Sequence, residues 1–349
     1  MGYKKYSKSL KDITDIKENF FSENESLLNT NFKMADIYKK QPRRTHCKNC
    51  DSSLEEKVFM NKQGIDYYLC QKCNHLNGAY QDTEQFAKSI YVDEITNYSH
   101  VYKEEGGKNY LNRVEKIYKP KAEFLIECLQ RRKVDYSSLT YSDIGAGTGY
   151  FVYTLKKDFE LKNINGYEVS QKQVDIANFF LNENAIYHIE IDRLAEVIRS
   201  SQSDVVSMIG VLEHLTNPRD ILNSISKNEN IKYFYLSLPL LSYTVFFELL
   251  NQDCFNRHLS GGHTHLYTNE SISYFCKEFG FEIIGEWSFG TDSMDLFRFF
   301  KTKMQESGAS PDAVKYFSEK YLAVLDDLQC VLDRSHFSSE VHLLLSKNS

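Results

Sequence analysis

Thr140-Tyr-Ser-Asp-Ile-Gly-Ala-Gly-Thr-Gly-Tyr-Phe151 decides the fold. The stretch reads as the end of a buried strand, a loop with glycine at every second position, and the start of a helix. Gly145, Gly147 and Gly149 lack a Cβ, so the backbone can turn sharply there and lie against a ligand. Outward from it, residues 139–290 alternate strand and helix patterns. Strands are expected at 139–145, 164–169, 186–190, 204–210, 232–238 and 281–288, with helices starting near Tyr150, Gln171, Arg193, Pro218 and Asn269. Such alternation predicts a doubly wound α/β domain, a parallel sheet covered on both faces. Glu340-Val-His-Leu-Leu-Leu-Ser346 is a last strand, after a helical insert at 291–337.

Upstream, the expected organisation is a helical arm at 1–42, a small module at 43–80, a helical connection at 81–135, and the α/β domain at 136–349. Within the connection, the aromatic stretch Tyr98–Tyr110 is placed to form a lid, or a plain surface link. The small module is marked by Cys47-Lys-Asn-Cys50 and, after 19 intervening residues, Cys70-Gln-Lys-Cys73. Two C-x2-C knuckles at this separation match a four-thiolate zinc ribbon. Asp51 and Asn74 follow the knuckles and tolerate the positive φ that such turns need. Lys57-Val-Phe-Met60 and Ile65–Leu69 read as ribbon strands around a turn at 61–64. Four protein ligands leave no open position, so this zinc is expected to be structural.

The net charge of −6 gives no general case for a nucleic-acid partner. No apolar run is long enough to span a bilayer, and the polar N-terminus is no signal peptide, so a cytoplasmic location is expected. The eight cysteines are then reduced or metal-bound rather than paired.

The ligand of the glycine loop follows from its detail. A dinucleotide fingerprint is G-x-G-x-x-G, whereas here the third glycine comes one position early and Tyr150 takes the dinucleotide place. Asp143 puts a carboxylate ahead of the loop, which suits a cofactor with a cationic end better than a diphosphate. Glu168 ends the second strand, where an acid meets a ribose diol.

Asp143-Ile-Gly-Ala-Gly-Thr-Gly-Tyr-Phe151, Glu168 and Val211-Leu-Glu-His-Leu215 together resemble the class I S-adenosylmethionine-dependent methyltransferases. The resemblance covers about 139–290 plus the last strand. It implies a seven-stranded Rossmann-like sheet with the terminal strand inserted antiparallel. It also implies that S-adenosylmethionine is held by Asp143, Gly145, Ala146, Gly147, Gly149, Tyr150, Glu168, Val169, Asp192 and Gly210. Asp192 is equally readable as the N-cap of the helix starting at Arg193.

Strand four runs into Glu213-His214 at the carboxyl edge, where chemistry sits. No Asn/Asp-Pro-Pro-Tyr pattern follows, which argues against amino-group acceptors on nucleic acid. His214 suits a base that takes a proton from a hydroxyl, with a structural histidine as the bland reading. His258-Leu-Ser-Gly-Gly-His-Thr-His-Leu-Tyr-Thr-Asn269 reads as a loop at the same edge, making His263 and His265 further candidates as base or orienting group. With no cysteine or acid patterned beside these histidines, a second metal site is not expected. Ribbon, class I domain and helical insert resemble methyltransferases of deoxysugar and surface-polysaccharide pathways. A sugar or nucleotide-sugar hydroxyl is the expected acceptor. Carbon methylation, a macromolecular acceptor docked on the ribbon, and a non-catalytic cofactor-binding protein stay open.

Overall fold

The computed structural model describes residues 2–10, 24–91, 107–254, 257–259 and 263–347. Strand β1 (Tyr3–Tyr6) and helix α1 (Asn24–Tyr38) precede the cysteine module, whose strands are β2 (Met60–Lys62), β3 (Ile65–Leu69) and β4 (Leu76–Gly78). Helix α2 (Glu84–Tyr91) follows; then α3 (Gly107–Arg113) runs through a π-helical turn (Val114–Tyr118) into α4 (Lys119–Arg131). The α/β part continues as β5 (Tyr141–Ile144), α5 (Tyr150–Asp158), β6 (Ile164–Glu168), α6 (Gln171–Leu181), β7 (Ile186–His188) and α7 (Leu194–Ser200). Next come β8 (Val205–Ile209), α8 (Pro218–Lys227), β9 (Tyr233–Pro239), α9 (Tyr243–Leu250), β10 (His265–Leu266) and α10 (Asn269–Phe279). The chain closes with β11 (Phe281–Phe289), α11 (Asp292–Glu306), α12 (Pro311–Arg334) and β12 (Glu340–Lys347).

The main sheet has the order β1-β11-β12-β9-β8-β5-β6-β7. β12 is antiparallel to both its neighbours, and the other pairs are parallel. From β5 the chain winds outward through β6 and β7, then returns to lay β8 and β9 on the other side. The switch point therefore lies between β5 and β8, at their carboxyl ends, where doubly wound sheets bind ligands. One face is covered by α4, α5 and α6 through Phe124, Leu125, Phe151, Leu155 and Val174. The other is covered by α7, α8 and α10 through Ile198, Ile221, Leu222, Ile272 and Phe275. Asn217 caps α8, accepting from the Asp220 amide, with Pro218 in its first turn. Thr268 and Ser271 close a reciprocal cap on α10.

Two expectations are corrected. The sheet has eight strands, not seven, because part of the arm read as helical is strand β1. Its two lysines, Lys4 and Lys5, suit an edge strand, and β11 offers a free edge: Lys5 lies over the Trp287 ring, and Trp287 Nε1 donates to the Ser7 carbonyl. The first ribbon strand is Met60–Lys62 rather than 57–60, since the turn needs only Gln63-Gly64, both at positive φ. The aromatic stretch after β9 holds the helix α9, whose buried Val245 and Phe247 pack inward. Of the expected lid, 98–106 lies outside the described residues, as does the Gly261-Gly262 pair. Among the described residues no helix is long and apolar enough to cross a membrane.

Candidate active site and metal centre

The glycine loop takes the conformation its composition allows. Gly145, Gly147 and Gly149 all have positive φ, at 70°, 56° and 77°. A Cβ on Gly145 would come within 2.5 Å of Val211, and one on Gly149 within 2.8 Å of Ala177. Gly149 thus permits close packing on α6, while Gly145 is exposed and Gly147 half-buried at the open side of the loop. Ala146 and Tyr150 are buried beneath it. Tyr150 packs against Tyr110 and Tyr118, and the Tyr110 hydroxyl donates to the Thr148 carbonyl. The helix α3 and its π-helical turn therefore cover the loop from one side.

Glu168 ends β6 and reaches back to the loop. Its carboxylate accepts from the amides of Gly147 (2.8 Å), Val169 (2.9 Å) and Ser170 (3.0 Å). Asp143 sits across the switch point from Ser207, whose hydroxyl donates to it at 2.6 Å. Burial pushes the Asp143 carboxyl up to about 7, and the nearby Glu168 charge adds to the effect. Gly210 ends β8 with φ 67° and donates to the Ser237 hydroxyl. Val169 is half-buried. Asp192 lies exposed in a single 3-10 turn, Ile191–Arg193, and caps nothing, because α7 starts one residue later than expected. It stands just past β7, at the same edge of the sheet as the loop.

The second group lies across that edge. Glu213 is 5% exposed, and its Oε1 is 3.8 Å from His214 Nε2. Burial pushes Glu213 up to about 8. The His214 and His263 rings stack at 5.1 Å, inclined by 16°. Burial, then the charge of Arg257, lowers His263 to about 4, leaving it a neutral imidazole at physiological pH. His265 departs from its expectation as a base. It is fully buried, with one ring nitrogen 2.8 Å from His75 and the other 2.8 Å from the Glu213 carbonyl, so both are engaged.

Sequence reading missed three charged residues beside this group: Lys121, Arg257 and Glu340. Glu340, at the start of β12, lies 3.7 Å from Lys121 and 2.9 Å from His342, and Arg257 lies 3.4 Å from Asp295. Burial would raise the Glu340 carboxyl, but Lys121 and His342 outweigh it and hold the group well below the usual range. The side chains of Glu340 and Arg257 stay 26% and 25% exposed, so solvent reaches them inside a dense charged cluster. No local pattern announces them, because they come from α4, the segment after α9 and β12.

The four cysteines converge. Cys47 and Cys73 sulfurs are 3.6 Å apart, and those of Cys50 and Cys70 3.5 Å. Tetrahedral zinc with ~2.3 Å bonds would set sulfurs ~3.8 Å apart, so the spacing fits. Asn49 and Asn77 donate to Cys73 and Cys47 sulfurs, and the Ser52 hydroxyl sits 2.9 Å from Cys50, donors suited to stabilising thiolates. Asp51 and Asn74 both have φ 57°, as the knuckle turns require.

This module is joined to the α/β part. β10 pairs antiparallel with β4, making a fourth strand of the ribbon sheet. The Gly78 amide donates to the Thr264 carbonyl, Lys62 pairs with Glu248 in the core, and Arg219 donates to the Asn49 carbonyl.

The glycine loop, the strand-end acid Glu168 and the Glu213-His214 pair thus stand at the carboxyl edge of a doubly wound sheet, where such sheets bind ligands. Residues 113–286 match the family model described as a methyltransferase domain, and this part of the chain is a class I S-adenosylmethionine-dependent methyltransferase domain. No curated protein matches the chain significantly. Among solved structures, magnesium protoporphyrin IX methyltransferase from Synechocystis PCC 6803 superposes with a TM-score of 0.47 at 11% identity, covering 75% of this chain and 98% of that one. The methyltransferase domain of the bacterial protein CtHen1-C gives 0.42 at 13%, covering 66% and 98%. At these values neither likeness bears on substrate or chemistry.

Proposed function

We propose that the protein transfers a methyl group from S-adenosylmethionine to a hydroxyl of a small molecule, a sugar of a nucleotide-sugar or surface glycan. The observation that carries this reading is the facing of two groups across one sheet edge: the glycine loop with Glu168, and Glu213-His214 with His263. Glu168 and Asp192 bind the nucleoside, and the exposed faces of Gly145 and Gly147 admit the methionine part beside Asp143. The acceptor enters the recess between His214, His263, Glu340 and Arg257, a polar and charged lining that suits a hydroxylated ligand. There its oxygen attacks the methyl carbon in line as the C–S bond breaks, giving the methyl ether and S-adenosylhomocysteine. The hydroxyl proton leaves on the Glu213-His214-His263 side. Zinc, bound by Cys47, Cys50, Cys70 and Cys73, holds the ribbon in place and takes no part in the transfer.

Incubation with methyl-labelled S-adenosylmethionine and a panel of nucleotide-sugars tests this, with label expected in a sugar hydroxyl. Label appearing only in added proteins would contradict the acceptor, and formation of no S-adenosylhomocysteine above background would contradict the transfer.

A further inference from the structure

Glu213, His214 and His263 do more than surround one proton. Their ligand atoms, one from each side chain, all lie within 4.8 Å of one another. Glu213 Oε2 is buried with no hydrogen-bond partner, and so is His263 Nδ1. Buried polar atoms are nearly always satisfied, and a carboxylate oxygen left without a donor is costly. An unsatisfied oxygen on Glu213 and an unsatisfied ring nitrogen on His263, in a cluster this tight, call for a polar partner.

Both segments that carry these residues are tied by hydrogen bonds to the same module. His265 grips the Glu213 carbonyl while its other nitrogen meets His75 of the ribbon. Thr264, next to His263, is tied by its carbonyl to Gly78 of β4. Fixing the main chain behind a ligand in this way is what metal centres require. The cations whose charges reach the group, Lys48 and Lys121 at Glu213 and Arg257 at His263, are each paired with a carboxylate of their own: Asp82, Glu340 and Asp295.

We propose that Glu213, His214 and His263 form a second metal site, which takes one first-row divalent cation and leaves positions open for two adjacent oxygens of a ligand. One carboxylate and two imidazoles suit manganese, iron, cobalt, nickel or zinc, and suit magnesium and calcium poorly. Metal–ligand bonds of ~2.0–2.2 Å ask the three atoms to draw in by side-chain rotation alone. Assigning the open positions to the acceptor rests on the methyl-transfer reading. It then narrows the acceptor to a molecule with neighbouring oxygens, such as a vicinal diol, whose coordinated hydroxyl loses its proton to water in the recess more readily.

The test uses the full chain with its ribbon metal in place, titrated with manganese(II) chloride and followed by the loss of free-ion electron paramagnetic resonance signal. One ion per chain is expected, with binding weakened about ten-fold or more in Glu213→Gln and in His263→Gln. Glu196→Gln, a surface carboxylate paired with Arg193 and outside the site, should bind as wild type. Retained S-adenosylmethionine binding in each variant shows that it has folded. No binding at millimolar manganese, or equal binding by wild type and both ligand variants, overturns the site. Methyl transfer that persists in excess chelator with no manganese bound overturns it too, while leaving the methyltransferase reading intact. Manganese bound at one per chain with no transfer to any acceptor leaves the site standing and removes its tie to methylation.

Discussion

Glu168 accepts three backbone amides, and in doing so it joins the glycine loop to the end of β6. Each carboxylate oxygen keeps acceptor capacity beyond these bonds, which is what a ribose diol needs. Glu168→Ala removes both functions. S-adenosylmethionine affinity should fall at least ten-fold, since charge-assisted hydrogen bonds contribute about 1.5–3 kcal/mol each, and calorimetric titration measures it. Asp143 gives a prediction in pH. Its carboxyl is raised from 3.8 in the unfolded chain to about 7 in the fold. Between those values the folded state holds a proton that the unfolded state has lost. Its contribution to stability is therefore full below about pH 4, falls as pH rises toward 7, and levels off above. Melting curves of wild type and Asp143→Asn from pH 5 to 8 should diverge in that sense, and a constant difference would remove the assignment. At this scale the sequence shows Asp143 and Glu168 by their places at strand ends. It cannot show Ser207, Glu340 or Arg257, whose partners lie on segments far away in the chain.

The short strand β10 decides how the molecule holds its catalytic edge. Its two residues add to the ribbon sheet, yet His265 within it supports the Glu213 carbonyl. Unfolding the ribbon should thus loosen the acceptor side and spare the glycine loop. Chelating any metal that the four cysteines hold, or Cys73→Ser, is expected to lower turnover about ten-fold or more. Cofactor affinity should change little; parallel loss of both would mean that the ribbon supports the whole fold. At the far edge, Trp287 is 1% exposed and packs on Phe124 and Phe289. Trp287→Ala should cost about 3–5 kcal/mol in urea denaturation.

The element pattern was legible wherever local chemistry repeats. Apolar runs marked the core strands, Pro218 and Thr268 marked helix starts, and the paired cysteines marked the ribbon. Strands β1 and β10 were not legible. Each is a few residues long and exists because a neighbouring sheet edge offers hydrogen bonds, a long-range cause that leaves no period in the sequence. Glu213, His214 and His263 were each legible as candidates at one sheet edge, but not their meeting in one cluster, because the acid and the second histidine lie on different segments.

On the scale of the whole molecule, the sheet's switch point, the covering helix α3 and the ribbon converge on one edge. In the proposed reading the α/β part supplies the cofactor side, and the ribbon braces the acceptor side through β10. Around that edge the cations are set against carboxylates, Lys121 on Glu340 and Arg257 on Asp295. The central claim is that the loop at 145–149 with Glu168 holds S-adenosylmethionine. Calorimetric titration of the full chain with S-adenosylmethionine, beside the Glu168→Ala variant and with NAD as competitor, tests it most directly. One S-adenosylmethionine should bind per chain, weakened at least ten-fold in the variant and undisturbed by NAD. Absence of binding, equal binding by the variant, or displacement by NAD would contradict the claim.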